Sequence, residues 1–468
     1  MEEARSLAAR DAFIVTKGQK KTLQCDADSI AGCVSQRACV YCGARVVLNP
    51  ITDALHLVHG PIGCASYTWD IRGSLSSGED LFRNSFSTDM QEEDIIFGGE
   101  KKLALCLDEL ITKYRPPLAF VYSTCIVGVI GDDMKAVCKA ASERHGIEVL
   151  PVESSGFIGN KAAGYRAACD ALLRLIAMPL FAAERRRKER RRKERRKKSG
   201  KPVINYLGDF NLAGEAWIIR DYLRRLGVEL NVVFTGDATY ADLKRAPEAE
   251  LNIIQCAGSM QYLAGNMQEV YGIPSLQVSF LGMEDTASSL RAIAQELGEA
   301  QIAANAEAVI QTEEAAYAPQ VEAYRQYLEG KKAAVYVGGG FKAVSLIRQF
   351  REVGMEVVMV GSQTGRKEEY ALMNDLVQEG AVILDDANPA ELERFLLEQG
   401  ADLLVGGVKE RPLAYKLGRA FLDHNHDRKH PLSGYVGALN FAKEVYSSIC
   451  SPVWRHLGEA PWLKKGGV

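Results

Sequence analysis

Several things are missing from this sequence, and each absence excludes something. The opening residues, MEEARSLAARDAF, contain no apolar core of a secretory leader. No uninterrupted apolar run is long enough to span a bilayer. Both absences lead us to expect a cytoplasmic protein with no membrane partner. A charge of one sign is missing too. Lys and Arg number 57 against 60 Asp and Glu, a formal net charge of −3. The chain as a whole therefore has no field that would gather nucleic acid, which is not an expected partner. The glycines at 338–341 (GGGF) lack the G-x-G-x-x-G spacing of a dinucleotide fingerprint. No second C-x-x-C follows Cys39–Cys42 at the spacing of a four-thiolate zinc site.

What is present is a long chain of ordinary globular composition. Its 468 residues are 47% apolar and 25% charged. That length exceeds one ordinary core and implies roughly two to four domains. Short apolar runs alternate with helical stretches of about a dozen residues, the pattern of parallel sheets in doubly wound units. Strands are expected at 118–122 and 147–152, then at 203–210, 231–237 and 251–256. A third series is expected at 333–337, 356–360, 381–384 and 402–405. The fold class read from this rhythm is α/β, with three Rossmann-like doubly wound parallel-sheet domains. The divisions are residues 1–183, a basic insertion or linker at 184–201, 202–330 and 331–468. The segment after about 420 reads as irregular and is expected to pack back on the first domain. The basic run ERRRKERRRKERRKKSGK reads as a solvated extension, with a docking patch for an acidic partner as the alternative.

Eleven cysteines are more than packing needs. An odd number in a reducing compartment does not suggest a disulfide framework. In open α/β sheets ligands sit beyond the carboxyl ends of strands, and Cys125 and Cys256 stand there. So do Gly338 and Gly339, with Lys342 beyond, and Gly406-Gly407, with Lys409 and Arg411 beyond. Glycine admits a bulky ligand close to the backbone, and the basic residues suit an anionic one. Cys64 lies in a stretch with Gly-Pro and Gly-Cys steps, read as a loop that presents its thiolate. Cys39 opens CVYCGA, ahead of the apolar run ARVVLNPI. Thiolates suit iron–sulfur clusters or zinc. As a C-x-x-C, Cys39–Cys42 lacks the second pair that a zinc site needs and the strand-to-helix turn that a redox pair needs. Cys106, Cys138 and Cys169 have the neighbours of plain buried cysteines. His424, His426 and His430 form either a solvated polar loop or a ligand cluster.

Three long stretches carry more than spacing does. CVYCGARVVLNPITDALHLVHGPIGCASYTWDIRGSLSSG, FSTDMQEEDIIFGGEKKL and STCIVGVIGDDMKAVCKAA resemble the nitrogenase component 1 family. Within it, the WDIRGSLSSG loop is most like the E-type subunit of the iron–molybdenum cofactor assembly scaffold. The similarity runs from Cys39 to about residue 180, and more weakly to about 445.

The resemblance implies an α2β2 heterotetramer with a homologous N-type subunit. Cys39, Cys64 and Cys125 match the three cysteines that hold a cluster at the subunit interface. That cluster is a [4Fe-4S] or a larger P-cluster-like one, with the partner supplying the remaining thiolate. Cys256 matches the cysteine that holds the iron–sulfur precursor of the cofactor. Arg72 matches an arginine of that cavity and Lys409 a lysine near the homocitrate end. Molybdenum and homocitrate are implied as transient guests, with the nitrogenase iron protein and a precursor-donating radical enzyme as further partners.

Two departures matter. Ser433 stands where the catalytic subunit has a histidine ligand, and Tyr165 where it has a histidine used on substrate. Both favour a transient holder over a dinitrogen reductase. His430 is a candidate substitute ligand. The alternative is a nitrogenase-like reductase acting on another substrate, and a zinc-binding interaction protein is a third reading.

Overall fold

The computed structural model describes residues 10–19, 21–25, 38–67, 74–176, 200–425 and 428–455. Arg72, His426 and residues 184–199 of the basic run lie outside the described residues. Among the described residues three sheets form, all parallel except for one added strand. The described chain gathers into two compact units, Ala38–Val278 and Met1–Arg37 with Ser279–Val468.

Ala38–Val278 holds two four-stranded sheets. The first runs β3 (Phe86–Ser87), β2 (Ala54–His59), β4 (Leu118–Ser123), β5 (Glu148–Val152). The second runs β7 (Glu229–Thr235), β6 (Val203–Asp209), β8 (Leu251–Ile254), β9 (Ser275–Gln277). β2, β4, β6 and β8 are buried along their whole length, as expected of strands covered on both faces. One apolar core joins the two sheets, from Val58 and Phe120 through Leu172 to Phe234 and Ile254.

β2 was not expected as a strand. Its run ALHLVH contains two histidines, which break the apolar signal, yet both are buried. His56 pairs through Nδ1 with the Tyr122 hydroxyl at 2.9 Å and stacks on Phe120. The helices Val40–Leu48 and Lys161–Leu175 cross at Gly43 and Gly164. A Cβ on Gly164 would overlap the Val40 carbonyl and lie 2.7 Å from the Ala44 nitrogen. The two helices thus touch backbone to backbone, which only glycine permits.

In the other unit the order is β1 (Ile14–Thr16), β12 (Val382–Asp385), β11 (Glu356–Ser362), β10 (Lys332–Val337), β13 (Leu403–Gly406), β14 (Ala420–Asp423). β1 adds antiparallel to β12, so the N-terminal segment belongs to this sheet. The stretch after residue 420 is regular, contrary to expectation. It forms β14 and the helix Gly434–Ile449, which packs on β14 and on the helix Ala300–Leu328 of its own unit. Two glycines in that helix's first turn hid it from the sequence. Gly437 is there because the chain at Leu432 passes too close for a side chain. No helix among the described residues is long and apolar enough to cross a membrane.

Candidate functional site

Each sheet reverses its strand order once, and the crevice at such a reversal is where open α/β sheets bind ligands. In the first sheet the reversal lies between β2 and β4, in the second between β6 and β8, and in the third between β10 and β13. Cys64 follows β2 and Cys125 follows β4. Cys256 follows β8. Gly338–Gly339 and Gly406–Gly407 follow β10 and β13. Every ligand position chosen at strand ends therefore stands at a reversal.

The turns after β2 and β4 are pressed together. A Cβ on Gly60 would collide with the Thr124 side chain, 2.8 Å from its Cβ. The Thr124 hydroxyl donates to the His59 carbonyl at 3.0 Å. His59 in turn pairs through Nδ1 with Thr88 (3.1 Å) and through Nε2 with Asp132 (3.1 Å). Asp132 also accepts the Gly99 amide. This buried network fixes the elements from which the thiols project.

Cys64 does not lie in a loop. It sits in the short helix Ile62–Tyr67, half-buried. Cys125 opens the helix Cys125–Ile130 and is exposed. The Gly156 amide donates to its sulfur at 3.2 Å. A Cβ on Gly156 would lie 2.9 Å from that sulfur and 3.9 Å from the Cys39 Cβ. Cys39, also exposed, caps the helix Val40–Leu48 and bridges to Asn160. Burial pushes the Cys64 thiol up, and the nearby Cys125 and Cys39 thiols add to that. The three predicted cysteines thus form one group. Among the described residues, no three His, Cys, Asp or Glu side chains are drawn together tightly enough to hold a single metal ion.

Around this group the surface is apolar. Ile62, Val129, Phe157 and Ile158 neighbour the cysteines in sequence. Ile96 and Phe97 come from the helix Glu92–Phe97, which packs on the Cys125 helix. All six are well exposed, Phe97 at 85%. Large apolar side chains left exposed on neighbouring elements are typical of docking surfaces.

Cys256 stands apart from them at the second reversal, half-buried, as N-cap of the helix Ala257–Tyr271. Gly208 in β6 has φ 84°, and a Cβ there would come within 2.7 Å of the Cys256 Cβ and nitrogen. Bare backbone therefore flanks the thiol. Cys42 is buried in the first turn of its helix, while Cys39 one turn earlier is exposed. Cys138 and Cys169 are buried and Cys106 is half-buried, with burial pushing each thiol up.

At the third reversal Gly339 caps the helix Gly340–Glu352, and Gly407 donates its amide to Glu410 at 2.7 Å. Lys409 is exposed beyond it. Lys342 donates to the His424 carbonyl at 3.1 Å. His424 is buried in the fold and is not part of a solvated loop. Ser433 is buried and caps the helix Gly434–Ile449, whereas His430 is exposed. The sequence reading missed Gly156, Asn160 and Lys161. They follow β5 directly, so the strand-end rule applied there would have found them.

Burial holds His56, His59 and His424 below the usual histidine value, Arg45 adding to the effect at His56 and Lys342 at His424. At His59, Asp132 works the other way. A depressed native value stabilises the fold above about pH 6.5, and that stability is lost as the pH falls further. Each such histidine removes up to about 1.4 kcal/mol per pH unit in that window. Glu352, pushed up to about 7 by burial, opposes them, because its contribution is lost as the pH rises through 7; Glu410, Glu444 and Asp53, also raised by burial, act in the same direction. Denaturant melts are expected to show lower stability at pH 5.5 than at 7.5, with a shallower fall in His56→Gln. An equal fall in that variant would count against a buried neutral His56.

Three parallel-stranded sheets, two of them with cysteines at the reversal of strand order, define an α/β protein with thiol-bearing ligand crevices. The chain belongs to the nitrogenase component 1 type oxidoreductase family, whose model matches residues 39–450. Among its relatives is the nitrogenase iron-molybdenum cofactor biosynthesis protein NifE of Clostridium pasteurianum, 60% identical over 93% of this chain and 92% of that one. NifE of Methanosarcina barkeri is 54% identical over 94% of each chain. A solved structure of nitrogenase Cp1 at pH 5 superposes with a TM-score of 0.86 at 29% identity, covering 98% of this chain and 97% of that one.

Proposed function

We propose that this chain is the E-type subunit of a scaffold on which the nitrogenase iron–molybdenum cofactor is assembled. One observation carries the reading: the thiols are sorted into two sites, Cys39, Cys64 and Cys125 together on an exposed apolar face, and Cys256 alone at another reversal. The first group suits a resident [4Fe-4S] cluster whose remaining thiolate comes from a homologous N-type subunit docked on the apolar face. That cluster would be structural or carry electrons.

The second site takes cargo. An iron–sulfur precursor, delivered by a radical enzyme, is held by the single Cys256 thiolate. Molybdenum and homocitrate enter while it is held, with the nitrogenase iron protein docked on the assembly. Gly338, Gly339 and Lys409, together with Arg72, belong to the cofactor-binding set in this reading. Ser433 in place of a histidine leaves the cargo with one protein ligand from this chain, and a cluster held by one thiolate is easily passed on.

Metal analysis of the purified two-subunit complex tests this. The expected result is about four irons for each interface cluster, with further iron at the cargo site. Stoichiometric zinc at these thiols, with no iron, would contradict it.

A further inference from the structure

Lys161 opens the helix Lys161–Leu175 and is only 9% exposed. Its carbonyl is wedged against Gly43, so the helix crossing fixes where the side chain starts. Burying an ammonium is costly unless an anion compensates it. Among the described residues no carboxylate forms an ion pair with Lys161. Its ammonium lies 5.8 Å from the centre of the Tyr165 ring. Its helix packs along the helix Ala257–Tyr271 that Cys256 caps, where the Cys169 thiol donates to the Ser259 carbonyl at 3.2 Å. Burial raises the Tyr165 phenol, so that group is a neutral partner near pH 7. The ammonium is thus buried at the head of a helix packed on the Cys256 helix, without a carboxylate to neutralise it among the described residues.

We infer that Lys161, aimed by Tyr165, is a positioning residue whose fixed positive charge draws an anionic, sulfide-rich iron cluster onto Cys256. This rests on the scaffold reading. An ammonium offers three N–H donors and no acceptor, which matches a cluster surface of sulfides. The same lysine as a purely structural residue would be replaceable, since apolar substitutes for buried charges are often neutral or stabilising.

The test uses the complete two-subunit complex loaded with cargo. Loss of cargo iron to a chelator is followed in wild type, Lys161→Met, Lys161→Gln, Lys161→Arg and Cys256→Ala, with thermal melts of each. The interface-cluster signal serves as internal reference. We expect Lys161→Met and Lys161→Gln to lose cargo roughly ten- to a hundredfold faster, as for residues that support a metal ligand. Their melting temperatures should not fall, and Lys161→Arg should stay near wild type. Cargo loss at the wild-type rate in Lys161→Met or Lys161→Gln overturns the inference. So does Lys161→Arg failing as fully as Lys161→Met. Cys256→Ala separates the two levels. If it keeps its cargo, the scaffold reading fails; if it empties while both neutral variants retain cargo, only the role of Lys161 fails.

Discussion

Cys256→Ala is expected to yield a folded complex that carries its interface iron and no cargo. Three features make the effect large and clean. Cys256 is the single cysteine at the second reversal, so no other thiol of that turn can replace it. As N-cap it makes no side-chain capping bond, so alanine costs the helix Ala257–Tyr271 little. Alanine also keeps the Cβ that packs against Gly208. The expected readout is loss of all iron above that of the interface cluster, with an unchanged melting temperature. Cargo iron persisting at the wild-type level would place the precursor elsewhere.

Cys125→Ala is expected to do the converse. Cys125 is exposed on the apolar face, and its sulfur accepts the Gly156 amide. Removing it takes one thiolate from a cluster that bridges two subunits and leaves that amide without its acceptor. The loss of one such hydrogen bond costs about 1 kcal/mol, which the fold tolerates. The loss of the cluster is the larger effect. We expect about four irons fewer per interface and weaker association with the partner subunit, while Cys256 still takes cargo. Iron analysis with sedimentation of the complex reads both. A full interface-cluster signal in Cys125→Ala would remove that residue from the ligand set.

These two results, opposite in which iron is lost, depend on the sorting of the thiols, and that sorting was only partly legible in the sequence. The strands before Cys125 and Cys256 are continuous apolar runs, so their ends could be found by pattern. β2 could not, because His56 and His59 interrupt the run and find their partners, Tyr122, Thr88 and Asp132, further along the chain. With β2 missed, Cys64 looked like a loop cysteine, although it sits in the short helix that follows a central strand. The helix Gly434–Ile449 was hidden by two glycines in its first turn, of which Gly437 is needed for close passage of the chain at Leu432. Lys161 was invisible for another reason. In KAAGYRAACDAL it is one more helical lysine, and only the Gly43–Gly164 crossing makes it a buried charge near Cys256. Long family-like motifs supplied the grouping of Cys39 with Cys64 and Cys125, and the contacts around Gly156 bring the same residues together.

The central claim is that this chain holds a cofactor precursor in order to release it. The most direct measurement is a transfer assay. The complex is loaded with precursor, supplied with molybdenum, homocitrate, the iron protein and ATP, and mixed with a cofactor-free catalytic nitrogenase. The account predicts that dinitrogen reduction appears in the acceptor as cargo iron leaves the complex, and that Cys256→Ala activates nothing. Substrate reduction by the complex itself, with no activity passed to the acceptor, would contradict it.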